Sequence, residues 1–122
     1  MPGVKRSAMA GIAAATVATI LLLVIVVLVA GRDSSVTHRY VIPAGTQAQL
    51  EKGIEPPGMP PYRLRVKVGD TLEIVNNDSV AHTYGFMIMK PGETSRYTFR
   101  RAGEFQGACT IALHSAVVIS VT

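Results

Sequence analysis

Two patterns of apolar residues divide the chain. Residues 8–30 carry no charge and include the run TILLLVIVVLVA. At about 1.5 Å per residue a helix of that length covers roughly 35 Å, enough to cross a hydrocarbon core of about 30 Å. Thr16 and Thr19 interrupt the run, but their hydroxyls can bond back to helix carbonyls and do not forbid burial in lipid. A cleaved signal peptide has a shorter apolar region, about 7–15 residues, ended by small residues. Leu28-Val29-Ala30 places a large leucine at the outer cleavage position, and no cysteine follows to support a lipoprotein signal. The pattern predicts an uncleaved transmembrane helix over residues 8–30.

From residue 37 onward the period changes from helical to alternating. HRYVI is a β-prone run closed by Pro43 and Gly45. The stretch GTQAQLEKGIEPPGMPP reads as loop, because prolines at 56, 57, 60 and 61 suit neither helix nor sheet interior. In YRLRVKV, Leu64, Val66 and Val68 point one way, while Arg63, Arg65 and Lys67 point the other, which predicts a half-buried strand with a basic outer face. TLEIVNN, VAHTYGFMI, SRYTF, FQGAC and AVVISVT follow as further strands, separated by the turns GD, NNDS, PGET and RRAGE. Many short strands with Gly, Pro and Asn turns predict an all-β antiparallel sandwich or barrel. The organisation is therefore a short N-terminus (1–7), a span (8–30), a connector (31–36) and a β domain (37–122).

Charge orients the span and excludes one class of partner. Lys5 and Arg6 precede it, whereas Arg32 and Asp33 follow it and offset each other. The positive-inside bias puts the N-terminus in the cytoplasm and the β domain outside. The connector GRDSSV reaches at most about 20 Å, so the domain sits close to the membrane. With Lys5 and Arg6 set aside, 10 basic residues remain against all 8 acidic ones, a formal charge of +2. The high pI is thus no argument for nucleic acid, and no basic run with interleaved aromatics supports one.

The chain has one cysteine, Cys109, which cannot form an internal disulfide. Exported chains usually pair their cysteines, so a lone one points to a free thiol, an intermolecular bridge or a metal ligand. Taken alone, Cys109 reads as a small buried hydrophobe. His82 starts a strand just past a turn, and His114 lies across the short loop TIAL from Cys109, before the last strand. In a sandwich, strand ends and loops gather at one pole, so these three residues can converge. Two imidazoles and a thiolate form a donor set suited to copper cycling between Cu(I) and Cu(II). Three ligands with an open position could also hold zinc, which is the lesser expectation.

The segments VKVGDTLEIVNNDSVAH and YTFRRAGEFQGACTIALH resemble those that deliver the metal ligands in the cupredoxin (blue-copper) family, and the resemblance covers roughly residues 38–122. It implies a Greek-key β-sandwich with His82, Cys109 and His114 as equatorial ligands of one copper ion. The Cys-x4-His spacing is closest to the azurin-like loop. That loop places an axial methionine four residues after the second histidine, where this chain has Val118. The segment from His82 to Cys109 is short, as in compact members with HT-x-GF and G-x-C motifs, which often lack the methionine too. Without an axial thioether, Cu(I) should be favoured and the potential raised. The carbonyl of Ala81 is a candidate fourth contact. Met87 and Met89, five and seven residues along one extended strand, should lie roughly 17–23 Å from His82 and serve as core or rim.

Other residues read as structural. His38 is expected to be exposed. Tyr84 and Phe86 share parity with His82 and should be core. Arg63, Arg65 and Lys67, with Arg96, Arg100 and Arg101, should form a solvated face that could also attract anionic lipid headgroups or an acidic redox partner. The sequon at Asn77 is read as chance. The expected function is single-electron transfer at the outer face of the membrane to a redox partner, with His114 as the exit edge. Copper storage, delivery or sensing is the alternative, and a metal-free interaction module the third reading. With no second metal cluster, His-rich motif or nucleophile–base pair, an enzyme is not expected.

Overall fold

Helix α1 runs from Pro2 to Ala30 in the computed structural model, which describes residues 2–31 and 34–122. Side chains are described from Gly11 onward; the charges used for orientation (Lys5, Arg6, Arg32 and Asp33) lie outside them. The stretch Gly11–Ala30 is long and apolar enough to cross a membrane, and none of it is buried within the structure. Its two hydroxyls behave as expected: Thr16 Oγ1 donates to the carbonyls of Ile12 (3.1 Å) and Ala13 (2.9 Å), and Thr19 Oγ1 to that of Ala15 (2.8 Å). Leu21, Leu22 and Leu23 stay exposed, an arrangement that water disfavours and lipid does not.

The second unit, Ser35–Thr122, is compact by itself. Its strands are β1 (Thr37–Ile42), β2 (Arg63–Val66), β3 (Thr71–Asn76), β4 (His82–Gly85), β5 (Met87–Met89), β6 (Thr94–Thr98), β7 (Gly103–Cys109) and β8 (Ala116–Val121). They form two sheets, β1-β3-β6 and β2-β8-β7-β4-β5. Most pairings are antiparallel, but β1 with β3 and β2 with β8 run parallel. The chain leaves the first sheet after β1, lays β2 in the second, and returns as β3 in the original direction. That exchange makes the parallel pair and links the two sheets of the sandwich.

The core comes from the inward positions of both sheets. Ile42, Leu72 and Ile74 from one face Leu64, Tyr84, Met89, Val117 and Ile119 from the other. Each fully buried large side chain contributes about 1.5–3 kcal/mol of transfer free energy. Leu64 and Val66 are buried and Arg63, Arg65 and Lys67 exposed, as the alternation predicts, although Val68 beyond the strand is exposed.

Two expectations are corrected. The stretch read as loop contains helix α2, Thr46–Glu51. Its prolines begin only at position 56, so they end the segment without forbidding a short helix ahead of them. VAHTYGFMI is two strands. Gly85 takes a left-handed φ of 62°, and the chain folds back so that Met89 pairs with His82 and Met87 with Tyr84. The methionines are therefore core, but Met89 is the cross-strand neighbour of His82 rather than a distant residue. Phe86, expected in the core with Tyr84, instead sits at the turn and is 41% exposed, while Tyr84 is fully buried.

Candidate metal centre

The turn before His82 is held by buried Asn76. Its amide donates to the carbonyls of Val80 (2.9 Å) and Met89 (3.0 Å), and its Oδ1 accepts the N–H of Asp78 (3.0 Å). This fixes Asp78 beneath the first strand residue. His82 is 1% exposed, and its Nε2 donates to Asp78 Oδ2 at 2.8 Å. Asp78 also accepts the backbone N–H groups of Gly45 (3.1 Å), Gln47 (2.9 Å) and Ser79 (2.9 Å). Burial would raise this carboxyl, but the bond from His82 and those three amides outweigh it and hold the pKa at about 2. The proton of His82 thus belongs on Nε2, which makes Nδ1 the acceptor. Nδ1 lies 3.4 Å from Thr110 Oγ1, and that oxygen accepts the N–H of Thr83 at 2.8 Å.

Cys109 ends β7, is 6% exposed, and pairs with Tyr84 of β4. Paired residues face the same way, so Cys109 and His82 share the inward face of adjacent strands in diagonal register, with backbones roughly 7–8 Å apart. Two glycines permit this. A Cβ on Gly107 would meet the backbone of Gly85 at 2.7 Å, closer than any real contact. The Cys109 N–H donates to the Ser115 carbonyl at 3.0 Å, closing the loop that carries His114. Burial pushes the thiol up, the backbone amides of Ile111 and Ala112 pull it back, and the Glu55 carboxylate adds to the rise.

His114 packs edge-on against Tyr62, ring centroids 5.6 Å apart. Its Nε2 is buried and has no hydrogen-bond partner among the described residues. The segment before β2 wraps this pole: Glu55 accepts the Leu113 N–H (3.1 Å), and the Pro61 carbonyl accepts the Tyr84 hydroxyl (2.8 Å). A cleft of about 720 Å³ opens beside it, lined by Leu50, Val80, Ala81, Thr110 and Leu113 among others. Val118, expected at the axial position, is buried and aliphatic, pairs with Arg63 and Gln106 on the parity opposite to Cys109, and donates its N–H to the Tyr62 carbonyl.

The structure thus brings His82 and Cys109 onto neighbouring strands and places His114 at the end of the loop leaving Cys109. Among the described residues, no three His, Cys, Asp or Glu side chains stand close enough to hold an ion as placed. The sequence reading missed Asp78, Tyr62 and Glu55. Only Asp78 left a sequence signal, four residues before His82 in the NNDS turn. His38 is half-buried and bound to Asp70 (2.9 Å) rather than exposed.

No protein-family profile and no characterised protein sequence matches this chain. Solved structures do. The chain is similar to a purple cupredoxin from Nitrosopumilus maritimus (19% identity, 69% of this chain and 98% of that one, TM-score 0.44). It is also similar to amicyanin from Paracoccus versutus (19% identity, 50% and 69%, TM-score 0.38). A third neighbour is a copper-containing nitrite reductase from Thermus scotoductus SA-01 (26% identity, 50% and 19%, TM-score 0.38), of which the chain spans about one fifth. These neighbours are copper proteins, and two of the three are cupredoxins.

Proposed function

We propose that this protein is a membrane-anchored cupredoxin that binds one copper ion through His82, Cys109 and His114 and passes single electrons outside the cytoplasm. The observation that carries the reading is the state of the two imidazoles. Asp78 fixes the His82 proton on Nε2 and leaves Nδ1 an acceptor whose one partner is the distant Thr110 hydroxyl (3.4 Å), next to Cys109 in the chain. The buried Nε2 of His114 has no partner among the described residues. A buried polar atom without a partner costs about 1–3 kcal/mol, which a ligand would relieve. One thiolate and two imidazoles match copper better than a hard oxygen-loving cation.

When bound, copper would supply a one-electron couple between Cu(I) and Cu(II). The chain's own residues do the rest. Asp78 orients His82, the Gly85–Gly107 contact sets the spacing of β4 and β7, and the Tyr62 and Pro61 segment covers the far side. Cys109 must lose a proton that burial holds on, so binding weakens as pH falls. Helix α1 anchors the chain, with residues 1–7 cytoplasmic and the β domain outside.

A second reading is Cu(I) storage or delivery: the azurin-like spacing puts Val118 where an axial methionine would support Cu(II), and without that thioether Cu(I) is favoured. One experiment separates the readings. Cu(II) is added to the full chain in detergent, and the visible spectrum and reduction potential are recorded for the parent and Cys109→Ser. An intense thiolate-to-copper band with reversible cycling, absent in the variant, supports electron transfer. Prompt reduction with tight retention of Cu(I) supports storage or delivery. No binding by either protein overturns both.

A further inference from the structure

We infer that the end of the sandwich opposite His82 and Cys109 docks on an anionic lipid surface through Arg100, Arg101 and Lys67, with Tyr97 and Phe105 at the boundary. The inference rests on the anchoring proposed above. The strand directions set the geometry. β1 starts, β6 ends and β7 starts at this end, whereas His82 starts β4 and Cys109 ends β7 at the other. Asp70 joins the pieces: its carboxylate accepts the N–H groups of Val36 (2.9 Å) and Lys67 (3.0 Å), and its carbonyl accepts that of Phe99 (2.9 Å). The chain therefore enters the domain beside Arg100 and Arg101, only a few residues after the apolar helix ends in sequence.

A cleft of about 440 Å³ opens here, lined by Tyr97, Thr98, Phe99, Arg100, Arg101 and Phe105. Tyr97 stacks edge to face on Phe99 at 5.1 Å, and Phe86, outside the cleft, on Tyr97 at 4.6 Å. Tyr97 and Phe86 remain about two-fifths exposed (39% and 41%), although Phe99 beneath them is buried. Arg100, Arg101 and Lys67 are exposed and form no ion pair among the described residues, unlike Arg39 and Arg96, which both hold Glu73. Glu104 nearby is bonded to Gln106 instead (2.9 Å). The opposite end carries Glu51, Glu55, Glu93 and the buried Asp78, but also Lys52, Arg63 and Lys90, so its charges nearly balance. An anionic bilayer would attract the end with the unpaired basic residues more than the charge-balanced one, while aromatic rings suit the headgroup level. Docked in this way, the domain would turn His82 and His114 away from the membrane.

The full chain is reconstituted into nanodiscs of phosphatidylcholine, with or without roughly one-third phosphatidylglycerol, and amide hydrogen exchange is followed. Residues 97–105 should exchange about tenfold more slowly in the anionic discs only, while 109–114 serve as reference and stay unchanged. The protection should vanish at about 0.5 M salt, where charges are screened beyond a few ångströms. Arg100→Glu with Arg101→Glu should also abolish it, since each basic residue near such a surface contributes about a fivefold factor. Equal exchange in both lipids, or protection that the double variant keeps, overturns the inference. Alkaline extraction run alongside tests the anchor separately. If it releases the chain, anchoring fails, and docking is judged by flotation of residues 35–122, whose core is self-contained, with millimolar anionic vesicles. Flotation that the double variant lacks supports docking; none overturns it.

Discussion

The two ends of the sandwich are built on the same device. At each, a buried aspartate gathers backbone N–H groups and binds one histidine: Asp78 with His82 at 2.8 Å, Asp70 with His38 at 2.9 Å. Both carboxyls are held at about 2, Asp78 against the pull of burial and Asp70 chiefly by the amides of Lys67 and Val36. What differs is what the imidazole faces next. His38 is half-buried, and Asp70 is its only recorded partner among the described residues. His82 is fully buried, and its second nitrogen faces the hydroxyl of Thr110, the residue after Cys109. The same local chemistry closes a turn at one end and, on the reading proposed above, orients a copper ligand at the other.

The sharpest way to break the metal end is Gly107→Ala. The added methyl would sit 2.7 Å from the Gly85 backbone, so β4 and β7 must separate. We expect a loss of about 3 kcal/mol or more, read by chemical denaturation, together with loss of copper binding. No equivalent close contact exists for Gly69 at the other end, where the nearest atom lies 4.0 Å away.

Asp78→Asn and Asp70→Asn should separate the two roles. Each weakens a hydrogen-bonded aspartate, so both should lower stability, by about 1–3 kcal/mol. Only Asp78→Asn should also weaken copper affinity, by about 10–100-fold, and shift the potential, because it removes the group that orients a ligand. Equal affinity losses in the two variants would erase the distinction.

Acid should act on both ends together. A depressed aspartate contributes stability that is complete above its unfolded pKa, near 4, and is lost as pH falls through about 2. Denaturant midpoints should therefore fall between pH 4 and pH 2, and each Asn variant should flatten that slope. The smallest effect is expected for His38→Gln: about 1 kcal/mol or less at neutral pH, with copper binding unchanged.

Much of this was legible beforehand, and the misses have physical causes. YRLRVKV announces its strand because every second residue must leave water. The metal candidates stand out because histidine and cysteine are rare here and fall at strand ends. VAHTYGFMI misled because its apolar residues continue the same parity through Gly85, and only the left-handed φ there reveals the turn that sets Met89 against His82. Asp78 looked like an ordinary turn residue because two of the amides that fix it, Gly45 and Gln47, come from more than thirty residues earlier. The parallel pairings depend on which sheet each strand joins, which no local pattern records.

The most direct measurement is copper-edge X-ray absorption on the loaded full chain and on Cys109→Ser. The account predicts one sulfur and two imidazole nitrogens around the metal in the parent, with the sulfur lost in the variant. A first shell of nitrogen and oxygen alone, the same in both proteins, would contradict it.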